Sequence, residues 1–187
     1  MNRYCAKGLT MIEVLVVLVI LSIGLLGVAG LQITSIRQTA NSGMQTQAMI
    51  LAGDLVERIR TNRGAIVQGN QMTITMANYG KAVGVDLPAT AIATCTTSSG
   101  CTPESMADND LYEWGVSISN SLPVTSDILK NNTYICLDSN TADATVCDGL
   151  GSTVVIQIAW QDSTEVVANG QLDDSTNIHT YQMVFEP

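Results

Sequence analysis

The first thirty-one residues leave few folds open. From Leu9 to Leu31 the chain is apolar apart from Thr10, Glu13, Ser22 and three glycines, and the short head before it, Met1–Gly8, carries Arg3 and Lys7. Val14 to Leu31 makes about 27 Å of helix, close to the thickness of a bilayer core. A helix satisfies its own backbone, so a stretch this apolar can lie in lipid or in a bundle of similar helices. Glu13 stands near its start. An ionised side chain in hydrocarbon is costly, and a plain membrane anchor has no use for one at that place. A secretory signal would end its apolar stretch at a small-residue cleavage site and then be discarded. Here processing is expected before the apolar block, at Gly8, which leaves the helix in the mature chain. The basic head stays cytoplasmic and sends the remainder across the membrane.

From Gln32 the pattern turns amphipathic. Ile36, Ala40, Met44, Ala48, Leu51, Leu55 and Ile59 recur at three- and four-residue steps, and no proline interrupts residues 9 to 63. This predicts one continuous helix, membrane-spanning over 9–31 and amphipathic over 32–63, with an apolar stripe for a head domain to cover. Arg58, Arg60 and Arg63 suit its negative C-terminal end, and Asn62 and Gly64 can stop it. Ser22, Gly24, Gly27 and Gly30 form a small-residue face suited to close helix packing. They also weaken the helix there, each interior Gly costing about 0.5–1 kcal/mol relative to Ala.

Residues 64–187 read as a separate head. Residues 64–100 are rich in Gly, Thr, Ala and Ser, with alternation over Gln71–Met76 that suits a small strand. Thr102-Pro103 starts a helix with Leu111, Trp114, Ile118 and Leu122 on one face, and Pro123 ends it. Asn131-Asn132 signals a turn. Strands follow at Thr133–Leu137, Thr153–Trp160 and His179–Phe185, separated by polar loops. The expectation is an α+β fold, a long N-terminal helix packed on an antiparallel sheet with a short second helix. No internal repeat is found.

Charge and cysteine usage narrow the function. Loss of residues 1–8 leaves six basic side chains against seventeen acidic ones, a balance of −11. Nucleic-acid binding needs a basic surface, so that class is excluded. Cys5 would leave with the leader, and Cys95, Cys101, Cys136 and Cys147 remain, an even count for an exported domain. Three pairings are open. Cys95–Cys101 and Cys136–Cys147 are favoured because each closes a short polar loop, and the spacing lacks the paired C-x-x-C knuckles of a zinc site. His179, the one histidine, has no flanking nucleophile and no second histidine, and is expected on the surface or an edge strand. Asp108-Asn109-Asp110 and Asp173-Asp174 lack the spacing of a calcium loop and are expected as solvated charge. Trp114 and Trp160 are expected to anchor the core. No catalytic, cofactor or metal motif is found.

Gly8-Leu9-Thr10-Met11-Ile12-Glu13 and the apolar run behind it resemble the class III signal of type IV prepilins. The continuation from Ile12 to Gln32 is similar to the helix of minor pilins of the PilV type. So are Cys101-Thr102-Pro103-Glu104-Ser105-Met106 with Asp110-Leu111-Tyr112-Glu113-Trp114, and Val154–Gln161 ending in Ala159-Trp160-Gln161. Leu9 replaces the commoner Phe and Met11 the commoner Leu. The resemblance implies the type IV pilin fold, no enzymatic activity and no cofactor. It implies that prepilin peptidase cuts after Gly8 and methylates Leu9. Glu13 would then attract the free α-amino group of a neighbouring subunit during insertion into a filament. Other minor pilins, a major pilin and a tip adhesin are the implied partners. The subunit would wait in the bacterial inner membrane with its head in the periplasm, then help initiate the pilus at its tip, supporting twitching motility and adhesion. Major pilins melt their helix in the region of Gly24–Gly30 when packed, often beside a proline whose place Gly30 takes here. Two other readings share parts of this pattern: a type II secretion pseudopilin, and a membrane-anchored periplasmic binding domain.

Overall fold

The computed structural model describes residues 10–68, 73–74, 76–97, 100–140, 147–161 and 178–187. Helix α1 runs unbroken from Met11 to Thr61. It begins where the Thr10 carbonyl accepts the Glu13 and Val14 N–H groups, and Arg58 and Arg60 lie in its last turn. It stops two residues before the expected Arg63. The short helix α2, Arg63–Ile66, starts there instead, after the chain turns at Asn62. Strands β1 (Val67–Gln68) and β2 (Thr73–Ile74) pair antiparallel. Of the strand expected over Gln71–Met76, residues 71, 72 and 75 lie outside the described residues, and Met76 belongs to no strand.

A 3-10 turn at Ala93–Thr96 leads to α3, Pro103–Ser121. The Thr102 hydroxyl accepts the Ser105 N–H at 3.3 Å, and Pro103 occupies a first-turn position where no N–H is needed. Helix α4, Ser126–Asn131, was not foreseen. Thr125 caps it by accepting the Ile128 N–H at 3.2 Å, and Ile128 is its buried residue. Asn131 therefore ends a helix, and the expected turn before β3 falls at Asn132. Strands β3 (Tyr134–Asp138), β4 (Thr153–Gln161) and β5 (Ile178–Phe185) form one antiparallel sheet in that spatial order. The register sets Cys136 opposite Val155 and Val155 opposite Val184. Lys81 adds a single bridge to Ile135 on β3.

The chain divides into two compact units, residues 1–42 and 43–187. In the first, the described part of α1 is exposed at almost every position. In the second, Ala48, Leu51, Ala52, Leu55 and Ile59 of α1 join Ala107, Leu111, Trp114 and Ile118 of α3, and Val154, Ile156, Ile158 and Trp160 of β4, in one core. The apolar stripe foreseen from Ile36 is covered only from Met44 onward. Ile36 is 68% exposed and Ala40 is also open. Periodicity marks the residues that could be covered, not the length of the partner that covers them.

Candidate assembly site

The N-terminal half of α1 is a built surface. Residues 11–31 present Met11, Ile12, Val14–Leu21, Leu25, Leu26 and Leu31 to the outside, and Glu13 is the acidic residue of the first turn. A carboxylate there opposes the positive end of the helix dipole. Ser22 donates its hydroxyl to the Val19 carbonyl at 2.8 Å, and Thr34 to Gly30 at 3.2 Å. These hydroxyls are satisfied within the helix and bring no orphan donor into an apolar environment. Gly24, Gly27 and Gly30 lie within the helix, with nothing near the place a Cβ would occupy. Gly8 and Leu9, the expected cleavage and methylation positions, lie outside the described residues.

The C-terminal half of α1 is locked into the head by polar contacts that sequence reasoning missed. Arg58 donates to Asp54 at 2.8 Å, Asp110 at 3.0 Å and Glu113 at 2.8 Å. Burial alone would lower its pKa, but these carboxylates outweigh that and raise it further. Arg58 in turn holds Glu113 below the usual carboxylate range. Tyr79 is buried and donates to Asp110 at 2.5 Å, and burial with that contact pushes the phenol up. Asp110, expected as solvated charge, is only 7% exposed, and Asn109 is buried too. Asp110 stands one residue before Leu111 and four before Trp114, so α3 turns it toward α1 beside its apolar face. Arg58 answers α3 as well as the end of its own helix. A DND triplet read together with an arginine on a facing helix was the available signal.

Trp114 donates its indole N–H to the Leu51 carbonyl at 2.9 Å, fastening α3 to α1. Trp160 is buried on β4, with His179 of the edge strand β5 stacked on it at 6.0 Å. Arg60 lies 5.6 Å from the Phe185 ring and pairs with Glu57. Lys81, 2% exposed, donates to the Thr133 and Lys130 carbonyls at 2.6 and 3.1 Å. Burial pulls its pKa down to about 8. Cys95 is bonded to Cys101 and Cys136 to Cys147, closing the loop before α3 and the loop between β3 and β4. Among the described residues no three His, Cys, Asp or Glu side chains stand close enough to share a metal ion.

The chain thus joins an apolar helix with a carboxylate in its first turn to an α+β head stapled by two disulfides. Two family models match adjoining parts of the chain. The prokaryotic N-terminal methylation motif covers residues 3–29, and the family described as type IV pilin Tt1218 covers residues 30–112. Together these two matches support a type IV pilin, a structural family whose methylation motif implies prepilin processing and incorporation into pili. The motif and the apolar helix fit a pilin anchored in the inner membrane before assembly. No curated protein and no solved structure shows a significant match.

Proposed function

We propose that this chain is a minor pilin of the PilV type that helps to initiate the pilus at its tip. The observation that carries the reading is the exposed apolar helix with Glu13 in its first turn, directly under the methylation motif. In this reading residues 1–8 are a leader, 9–63 the assembly helix and 64–187 the head. Prepilin peptidase cuts after Gly8 and methylates Leu9. The head crosses to the periplasm while the helix spans the membrane once, over residues 9–31.

Cleavage creates a cation at Leu9. When the helix enters a bundle of pilin helices, Glu13 loses its water, and an uncompensated buried carboxylate costs several kcal/mol. The α-amino group of a neighbour offsets that cost, and the low-dielectric surroundings make the pair far stronger than in water. Glu13 thus sets the register of insertion. Other minor pilins and a tip adhesin complete the initiating complex, on which the major pilin extends. Twitching motility and adhesion follow from the filament so begun. Similarity of Cys101–Met106, Asp110–Trp114 and Val154–Gln161 to that minor-pilin type supports the assignment within the family.

The test is the N-terminal mass of the native protein from membranes and from sheared filaments, with and without Glu13→Ala. A peptide beginning at methylated Leu9 in the sheared fraction, sharply reduced by Glu13→Ala, is the expected result. An intact Met1 leader confined to membranes overturns the reading. Deletion of the gene is expected to lower the number of pili per cell. Normal pili with defective enzyme secretion would shift the assignment to a secretion pseudopilin.

A further inference from the structure

The turn after the second disulfide is built to hold one apolar side chain outward. The Asp148 carboxylate accepts the Ser139 N–H at 3.1 Å, the Ser139 hydroxyl and the Leu150 N–H at 2.8 Å. The Gly149 N–H reaches back to the Leu137 carbonyl at 3.1 Å. Cys147, Gly149 and Gly151 all take positive φ, at 69°, 74° and 80°. A Cβ on Gly151 would come within 2.9 Å of the Ser139 Cα. The Cys136–Cys147 bond fixes the start of the turn to β3. All this holds Leu150 at 64% exposure. A single exposed leucine is ordinary. A leucine fixed by a disulfide, a carboxylate staple and three left-handed residues is preorganised, which lowers the cost of docking.

The charge of residues 43–187 says what can dock. They hold sixteen of the seventeen carboxylates and five cations. Four of those cations are committed within the chain. Arg58 faces three carboxylates, Arg60 faces Glu57, Lys130 faces Asp86, and Lys81 is buried. A second copy would bring the same acid excess and little cation to meet it. We propose that Leu150 anchors this head to a different pilin whose facing surface is cationic, and that copies of this chain do not occupy that place. The inference rests on the pilin assembly reading above and adds the chemistry of the neighbour.

The test installs a benzophenone amino acid at position 150 of the full-length chain in piliated cells, with Met106 on α3 as the control position. After irradiation, membrane and sheared-filament fractions are read separately. The expected adduct, identified by peptide sequence, joins position 150 to a different chain with its own methylation motif and a net basic head, and is absent from position 106. An adduct between two copies of this chain, an equal adduct at 106, or none in either fraction overturns the proposal. Leu150→Asp should reduce incorporation into filaments while both disulfides form and the N-terminus is still cut at Leu9; unchanged incorporation also overturns it. If the wild-type chain keeps its leader, the assembly reading fails by itself, and the membrane adducts still decide this one.

Discussion

Asp110 and Lys81 are the two side chains whose surroundings depart most from what their neighbours in sequence suggest. Asp110 takes its partners from α1 and from the segment before the 3-10 turn, through Arg58 and Tyr79. A hydrogen bond to a charged group contributes about 1.5–3 kcal/mol. Tyr79→Phe keeps the ring and removes the donor, so thermal unfolding of the detergent-solubilised chain should show a loss of about 2 kcal/mol. No loss would mean that Arg58 alone satisfies Asp110. Lys81 carries a signed pH dependence. Its folded pKa is about 8 against an ordinary 10.5, so the unfolded chain binds more protons between those values and stability rises with pH across that window. Unfolding midpoints should climb between pH 8 and 9.5 in the native chain and stay flat in Lys81→Met. Tyr79 and Tyr134, both raised, do not interfere below about pH 10, where unfolded-state tyrosines begin to ionise. A native chain that does not gain stability over that range would remove the buried cation from the account.

Among the elements, those set by local rules were legible in the sequence. Thr102-Pro103 starts α3 because the cap needs only a hydroxyl and a residue without an N–H. Alternation of Val154, Ile156 and Ile158 placed β4, since period two puts them on one face, although Val155 and Ala159 on the other face are buried too. Helix α4 was hidden, because six residues carry too little periodicity and its cap lay in an ordinary polar stretch. The short-loop cysteine pairs were legible because chain closure keeps such residues near each other. Reducing agent should lower the head's stability by roughly 2–3 kcal/mol for each loop opened, read as the unfolding midpoint with and without reductant.

The glycines of α1 support an argument no other element offers. Nothing stands within 4 Å of a Cβ at Gly27 or Gly30, so Gly27→Ala with Gly30→Ala adds no clash and should stabilise the isolated helix by about 0.5–1 kcal/mol each. We propose that this weak segment melts on packing, as the resemblance to major pilins implies. The double variant should then be processed normally yet incorporate poorly into filaments, as read by the sheared fraction. Incorporation at the native level, or a filament map with unbroken helix from residue 22 to 30, would remove local melting from the mechanism.

At the scale of the whole molecule, the apolar run and the charge balance were legible because they are sums over many residues and survive any fold. The Arg58 and Lys81 contacts were not, since each joins residues about fifty positions apart. The same sum makes a prediction about the chain in solution. Sixteen carboxylates and five cations after residue 42 give the head a large negative charge at pH 7, and like-charged molecules remain dispersed. Lowering the pH toward the isoelectric value of 4.3 removes that repulsion carboxylate by carboxylate. Asp148 and Glu113 are both held below the usual carboxylate range by their hydrogen bonds, so their contacts to Ser139 and Leu150 and to Arg58 should outlast the protonation of an ordinary carboxylate. The detergent-solubilised chain should therefore be dispersed at pH 7 and associate, still folded, as the pH falls from about 5 toward the isoelectric value, where repulsion is least. Light scattering with far-ultraviolet circular dichroism on the same samples decides it. Association at pH 7 that weakens on acidification would mean that copies attract through their heads, and the acidic surface would then have to be read as a contact between identical subunits.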